Sequence, residues 1–322
     1  MMSRLLARLL CALVAPMPLA AMATDPGKPI EWVVGYAAGG GSDVVARMLA
    51  EAMSKSLSHT ILVTNKPGAG SNIAADYVAK VRDVDNTLFT ADSAVLGANP
   101  FLFSKLNYTA EKDFTPVGMV ARFPLVLVVN PKAPPKNFKE FLAWIKSDPR
   151  MATYGSPGTG SPHHLVTESF GARIGVPLTH ASYRGAAPAM NDVAGGQLPF
   201  MFVDTSSGGG LIAAGKVRPI GVASLQRLKT MPDIPTLAEQ GLGGFEAYAW
   251  QALVVPSGAS AATVQTLNRH LNDALNSTAV KARLQTLGIE PMATTPAEAV
   301  RYAQVERERW GRVIREAGIK LD

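Results

Sequence analysis

Cysteine is nearly missing from this chain: its 322 residues contain one, Cys11. That residue lies within an apolar stretch at positions 9–19, preceded by Arg4 and Arg8 and followed by Ala21-Met22-Ala23, whose small residues suit the −3 and −1 positions of a cleavage site. The arrangement predicts a secretory signal peptide over residues 1–23, too short to persist as a membrane span. The Leu9-Leu10-Cys11 context lacks the small residues that precede a lipidated cysteine, so no lipid anchor is expected. A mature chain starting near Thr24 then has no disulfide, no thiolate nucleophile and no cysteine-ligated metal, and its core alone must hold it together.

Other absences narrow the function. After the leader no run reaches 18 apolar residues, which predicts a soluble, exported protein. Charged residues make up only 17% of the chain, and losing Arg4 and Arg8 takes the net charge from +6 to +4. So small and scattered an excess favours anionic ligands and is no nucleic-acid footprint. No GxSxG nucleophile elbow and no HExxH metal helix occurs. His163 and His164 are adjacent and cannot present one helix face to a metal, and His164 is expected to serve the core or position a neighbour. Gly210-Leu-Ile-Ala-Ala-Gly215-Lys216 has the spacing of a phosphate loop, but Val217 stands where a Ser or Thr must reach magnesium. Gly68-Ala-Gly70 begins like a dinucleotide fingerprint and lacks its third glycine. Neither a metal nor a cofactor is expected.

What is present is an alternation of short β-rich runs with helical patterns. Strands are predicted at 30–34, 60–64 and 86–91, with helices at 42–55 and 72–81, a rhythm that gives a mostly parallel sheet. Further strands are expected at 125–129, 151–154, 178–182, 199–203, 218–223 and 250–255. Helices are expected at 137–147, 163–174, 186–194, 262–276, 278–286 and 296–316. The apolar strands at 125–129 and 250–255 are each followed by proline and resemble two crossings between lobes. One lobe is therefore assigned to 24–127 plus 254–322 and the other to 128–253, a pair able to close on a ligand by hinge motion.

Three glycine-rich loops, at 37–42, 68–72 and 155–161, each follow a strand and open a helix. Small residues let a ligand approach the backbone, and the free first N–H groups of a helix suit a carboxylate. Ser42, Asn72, Ser156, Thr159 and Ser161 add short polar side chains for binding or capping. In open parallel sheets ligands lie beyond the carboxyl ends of the strands, where such loops sit.

These residues resemble the tripartite tricarboxylate transporter substrate-binding proteins, the Bug family of periplasmic receptors, over essentially the whole mature chain. Ala38-Gly-Gly-Gly-Ser-Asp-Val-Val-Ala-Arg47 is similar to the family's PGGxxDxxAR signature, and Asn65-Lys-Pro-Gly-Ala-Gly-Ser-Asn-Ile73 to NKPGAGGNIG. Tyr154-Gly-Ser-Pro-Gly-Thr-Gly-Ser161, with His164, Leu165 and Glu168, resembles YGSPGxGSxxHLxxE. Tyr183-Arg-Gly-Ala-Ala-Pro188 resembles YKGxxPA, and Met231-Pro-Asp-Ile-Pro-Thr236 resembles LPDVPT.

The resemblance implies a two-lobed α/β periplasmic binding fold of type II, each lobe a mostly parallel sheet flanked by helices. It also implies no catalysis, a small carboxylate (an aliphatic dicarboxylate or an aromatic acid) held in the interlobe cleft, and delivery to the subunits of a membrane permease. One jaw would comprise Tyr36, Ala37, Ala38, Gly39, Gly40, Ser42 and Asp43, with Gly70, Asn72 and Ser93 beside it. The other would comprise Ser156, Gly158, Thr159, Gly160, Ser161, Tyr183, Arg184 and Asp204. A monomer is expected. Ala38 replaces the family's proline, Ser71 and Ala74 replace glycines, and Arg184 stands where lysine is common. Asp43 is expected to anchor its loop, with Arg47 one turn on as partner. Arg184 either clamps a carboxylate or points to solvent. Tyr36 and Phe123 either wall the cleft or belong to the core. The rival functions are an exported hydrolase or isomerase with an Asp204–His164 dyad, and a ligand sensor for a signalling partner.

Overall fold

The computed structural model describes residues 28–316 and 318–321. The expected signal peptide lies outside them. In chain order the elements are β1 Ile30–Val34, α1 Gly41–Leu57, β2 Ile61–Asn65, α2 Asn72–Ala79, β3 Thr87–Asp92, α3 Asn99–Leu102, α4 Ala110–Asp113 and β4 Phe114–Val129. Then come α5 Phe138–Ser147, β5 Thr153–Ser156, α6 Pro162–Ile174, β6 Thr179–Ser182, α7 Ala186–Gly195, β7 Phe200–Asp204, α8 Thr205–Ala213 and β8 Arg218–Val222. The chain closes with β9 Tyr248–Pro256, α9 Ala261–Asn276, α10 Thr278–Thr286, β10 Glu290–Pro291 and α11 Pro296–Glu316.

The strands form one curled ten-stranded sheet among the described residues, in the order β2-β1-β3-β9-β4-β7-β5-β6, with β8 and β10 paired to β4. β1 pairs in parallel with β2 and β3, and β5 in parallel with β6 and β7. The long strands between these two parallel sets run antiparallel. β4 is the spine: residues 114–124 pair with β9, and residues 125–129 pair with β7 and β8. The sequence pattern predicted only 125–129 of this strand. Gly118, Pro116 and Pro124 break the apolar run before it, and the register shifts beside Pro116 and Met119 absorb the irregularity.

Period-two alternation places β4 between two cores. Leu125, Leu127 and Val129 face one, Val126 and Val128 the other, and all five are fully buried. β1 does the same in the other half of the sheet, with Ile30, Trp32 and Val34 on one face and Val33 on the opposite one. Helix α1 covers the first of those faces with Val45, Ala46, Leu49, Ala50 and Met53, spaced three or four apart. Helix α11 serves both halves: Ala299 packs with Trp250 and Phe89, whereas Trp310 and Ile314 join the core of Phe138, Phe141 and Phe202.

The sequence missed α8, whose Gly208-Gly-Gly210 argues against a helix. Asp204 caps it by accepting a hydrogen bond from the Ser207 amide at 2.9 Å. Gly208 packs so tightly on Val203 that a Cβ would not fit. The phosphate-loop look-alike ending at Lys216 lies at the C-terminal end of this helix, where carbonyls repel phosphate.

Candidate functional site

A cleft of ≈ 330 Å³ opens between the two halves of the sheet. Its wall is drawn from the loop after β1, the end of β3, the starts of α6 and α8, the loop before α7, the middle of β4 and the first residues of β9. Tyr36, Ala37, Ala38, Gly39, Gly40, Ser42, Arg184 and Asp204, all expected from the sequence, line it. So do Asp92, Phe123, His163, Ser206, Trp250 and Gln251, of which only Phe123 had been singled out as a wall residue. Phe123 is also buried in the core beside α1, so it serves both roles.

The first loop is held from behind. The buried Asp43 carboxylate accepts from the Gly39 amide at 2.9 Å, from Arg47 Nε at 3.0 Å and from Asn65 Nδ2 at 2.9 Å. Burial alone would raise this acid, but those bonds outweigh it and hold it below the usual carboxylate range. Asp43 is thus the loop's anchor, and it does not line the cleft. Gly39 sits at φ +81, which suits glycine, and Ala38 is exposed at the tip of the turn.

The start of α1 carries no side-chain cap: Gly40 is the N-cap residue, and Gly41 and Ser42 open the helix into the cleft. Helix α7 starts in the same way on the opposite wall, capped by no side chain, with Gly185, Ala186 and Ala187 lining the cleft. By contrast α5, α6, α8, α9 and α10 are capped by Asn137, Ser161, Asp204, Ser260 and Ser277. Helix α2 is also uncapped, but it begins away from the cleft. Two helix N-termini with unclaimed amides therefore face one space, and Arg184, exposed and lining the same wall, adds a positive charge.

Two buried acids border the cleft in different settings. Asp204 accepts from Ser206 Oγ and the Ser207 amide, and its Oδ2 meets His163 Nε2 at 3.1 Å. Burial pushes it up, but the His163 bond and charge, with Ser206 and Ser207, bring it down to about 2. Asp92 accepts from the Tyr36 hydroxyl at 2.5 Å and the Val95 amide at 3.0 Å. Here burial prevails over those bonds and raises the carboxyl to about 6.

The remaining expected residues stand behind the wall. Ser156 Oγ bonds Gly158 and His180 Nε2 at 2.7 Å, and Thr159 bonds Ser182. Gly160 N–H donates to His164 Nδ1 at 3.1 Å, and Ser161 caps α6. Tyr183 donates to Asp192, and Asn72 accepts from Asn99 and Tyr108. Ser93 is buried without a partner, and the Gly70 carbonyl accepts from Asn99. These groups lie outside the cleft because their polar atoms are engaged within the loops or turned into the core. The loop at 155–161 is supported by a stack of Tyr154, His180 and His164, with the two imidazoles 4.0 Å apart. Burial, then His180, lowers His164 to about 3, and burial lowers His180 to about 4, so both are neutral. The alternative Asp204–His164 dyad does not form, because the imidazole facing Asp204 belongs to His163.

The halves touch around the cleft. A Cβ on Gly41 would collide with Ser206 Oγ and lie 3.3 Å from Asp204 Oδ1, and one on Gly70 would lie 3.4 Å from the Gly160 backbone. Thr205 Oγ1 donates to the Gly288 carbonyl at 3.0 Å.

Comparison with known proteins gives a consistent picture. Residues 45–319 match the family model described as tripartite tricarboxylate transporter family receptor. Protein BugT of Bordetella pertussis is 34% identical over 299 residues, covering 92% of this chain and 92% of its own. A structure of R. palustris Rpa4515 with adipate superposes with a TM-score of 0.88 at 31% identity, covering 92% of this chain and 99% of that one. MatC from Rhodopseudomonas palustris, with bound malate, gives 0.84 at 31% identity, covering 90% and 100%.

Proposed function

Because the chain belongs to the tripartite tricarboxylate transporter receptor family, whose members are periplasmic solute receptors, we propose that it captures a small carboxylate in the cleft and delivers it to a membrane permease. The lobes 24–127 plus 254–322 and 128–253 act as the jaws, joined through β4 and β9. The signal peptide at 1–23 sends the chain out of the cytoplasm as a monomer.

The observation that carries this reading is the pair of uncapped helix starts, α1 and α7, facing one cleft beside Arg184. Each offers backbone N–H groups and the positive end of a helix dipole to an anion. A phosphate would fit the same physics, but the adipate and malate held by similar proteins favour a carboxylate. Phe123, Trp250 and Pro188 would shield its carbon chain.

The rival hydrolase has poor support. Ser206 and His163 both bond Asp204, so the acid stands between hydroxyl and imidazole, and the carboxylate that touches the hydroxyl is lowered to about 2 and is a weak base. Protein stripped of co-purified ligand is expected to gain thermal stability with at least one aliphatic or aromatic acid. At a hundred-fold excess over Kd the gain is about 2.7 kcal/mol. A broad panel of acids producing neither a thermal shift nor calorimetric heat would retire the proposal, and turnover of a bound acid seen by mass spectrometry would favour the enzyme.

A further inference from the structure

The two buried acids of the cleft differ in their partners. Asp204 faces an imidazole, whereas Asp92, 2% exposed, is bonded by a phenol and backbone amides, and no Lys, Arg or His pairs with it among the described residues. A carboxylate taken out of water without a counter-charge is costly unless a cation arrives or a proton stays on. Among the described residues its Oδ2 accepts only from Tyr36, so that oxygen has room for a second donor.

An independent feature points the same way. Gln251 lies opposite Asp92 on the neighbouring strand β9, and both line the cleft. Its Nε2 donates to Ser42 Oγ, while its Oε1 is buried with no partner. Side by side, then, stand a carboxylate oxygen with spare capacity and an amide oxygen with none of its capacity used. Both accept and neither donates. Around them the groups are of opposite kind: the α1 start, whose Ser42 touches Gln251, and on the opposite wall the α7 start and the Arg184 guanidinium all donate. A single ligand that satisfies both regions needs an anionic end and a cationic, hydrogen-donating end.

We infer that the cleft takes a carboxylate whose far end carries an ammonium group, seated between Asp92 and Gln251. This rests on the carboxylate reading above and sharpens it. The same position is unfavourable to a second carboxylate, which would lie against a buried acid. The tyrosines facing Asp92 are Tyr36 and Tyr108, both held protonated by burial, so neither supplies a competing charge.

The test is calorimetry at pH 7.5 with matched sets of four- to six-carbon acids: the ω-amino acid, the diacid and the plain monoacid of each length. In at least one set the ω-amino acid is expected to bind about ten-fold or more tightly than the diacid, an increment typical of a charge-assisted hydrogen bond. Asp92→Asn should remove that preference, and Gln251→Leu, which leaves the acid in place, should reduce it about three-fold. A diacid that binds as tightly as its amino counterpart in every set, or a preference that survives in both variants, overturns the inference and leaves the carboxylate reading standing. If no acid binds while plain alkylamines do, the carboxylate reading falls and the inference with it.

Discussion

The loop at residues 37–41 and the loop at residues 155–161 share a vocabulary of glycine and small residues, and each leads into a helix. They use it in opposite ways. In the first, one outside acid, Asp43, grips the Gly39 amide, and the start of α1 is left open to the cleft. In the second, Ser156, Thr159, Gly160 and Ser161 all bond partners behind the loop, and α6 is capped. The acids below them differ in parallel. Asp92, tied to the first loop through Tyr36, is raised, and Asp204, tied to α6 through His163, is lowered. One loop is shaped to receive and the other to hold shape. Composition alone does not separate the two; the destination of each N–H and hydroxyl does.

The widest expected contrast is between the acids. Asp92 titrates near 6 in the folded protein against about 3.9 when unfolded, so folding retains its proton. That contribution is fully present below pH 4 and is lost as pH rises through about 6, amounting to about 3 kcal/mol. Urea unfolding of the ligand-free wild type and of Asp92→Asn, at pH 4.5 and 7.5, should show the wild type losing more stability with rising pH by most of that amount. Equal pH dependence in the two proteins would show that Asp92 is solvated. Asp204, near 2, should contribute no slope in this window.

Next, Gly41→Val should drive a wedge between α1 and the Asp204–Ser206 turn. Ligand affinity is expected to fall about a hundred-fold, near 2.7 kcal/mol, with the circular dichroism spectrum preserved. Normal affinity would mean that the halves need not meet at that point for binding. For the closed-up loop, Ser156→Ala should cost about 2 kcal/mol of stability, because it strips His180 and the Gly158 amide of a buried partner. Thermal denaturation checks the loss, and a variant that binds weakly yet melts like wild type would return this serine to the ligand's side. Arg184→Gln should weaken carboxylate binding by about ten-fold and leave the melting temperature alone; unchanged affinity would turn Arg184 towards solvent.

The smallest effect concerns the third loop. Ser71, in place of the glycine common in the family, is buried at φ +70 with an unpartnered hydroxyl. Ser71→Gly should stabilise the protein by about 1 kcal/mol in a denaturant titration, because a left-handed conformation strains any residue with a Cβ. A loss instead would mean that the hydroxyl has found a partner.

The elements were largely legible because each carries its own period. The strand at 30–34, the helix at 41–57 and the helix at 296–316 repeat their apolar residues at two or at three-to-four. The first loop was legible too, since its glycines precede a helix. Asp92 and Gln251 were not, because they meet only through pairing of strands far apart in sequence, which no local pattern announces. The sequence does not separate His163 from His164, since which of two adjacent histidines faces the cleft depends on the turn at which α6 begins. Nor could spacing reveal that Ser156 is buried against His180 or that Thr159 bonds the exposed Ser182: a short polar side chain in a glycine loop reads the same whether it meets a ligand or a neighbouring loop.

Helix α11 has a consequence for the order in which the two cores can close. Ala299 completes one core, and Trp310 and Ile314 complete another, so both draw on a single helix far in sequence from β1. Most domains begin to fold as they emerge, N-terminal part first. Here neither half can bury its full apolar surface until α11 is in place: the β1-to-β3 half waits for its first turn and the other half for its last two. One helix so shared couples the unfolding of the two halves.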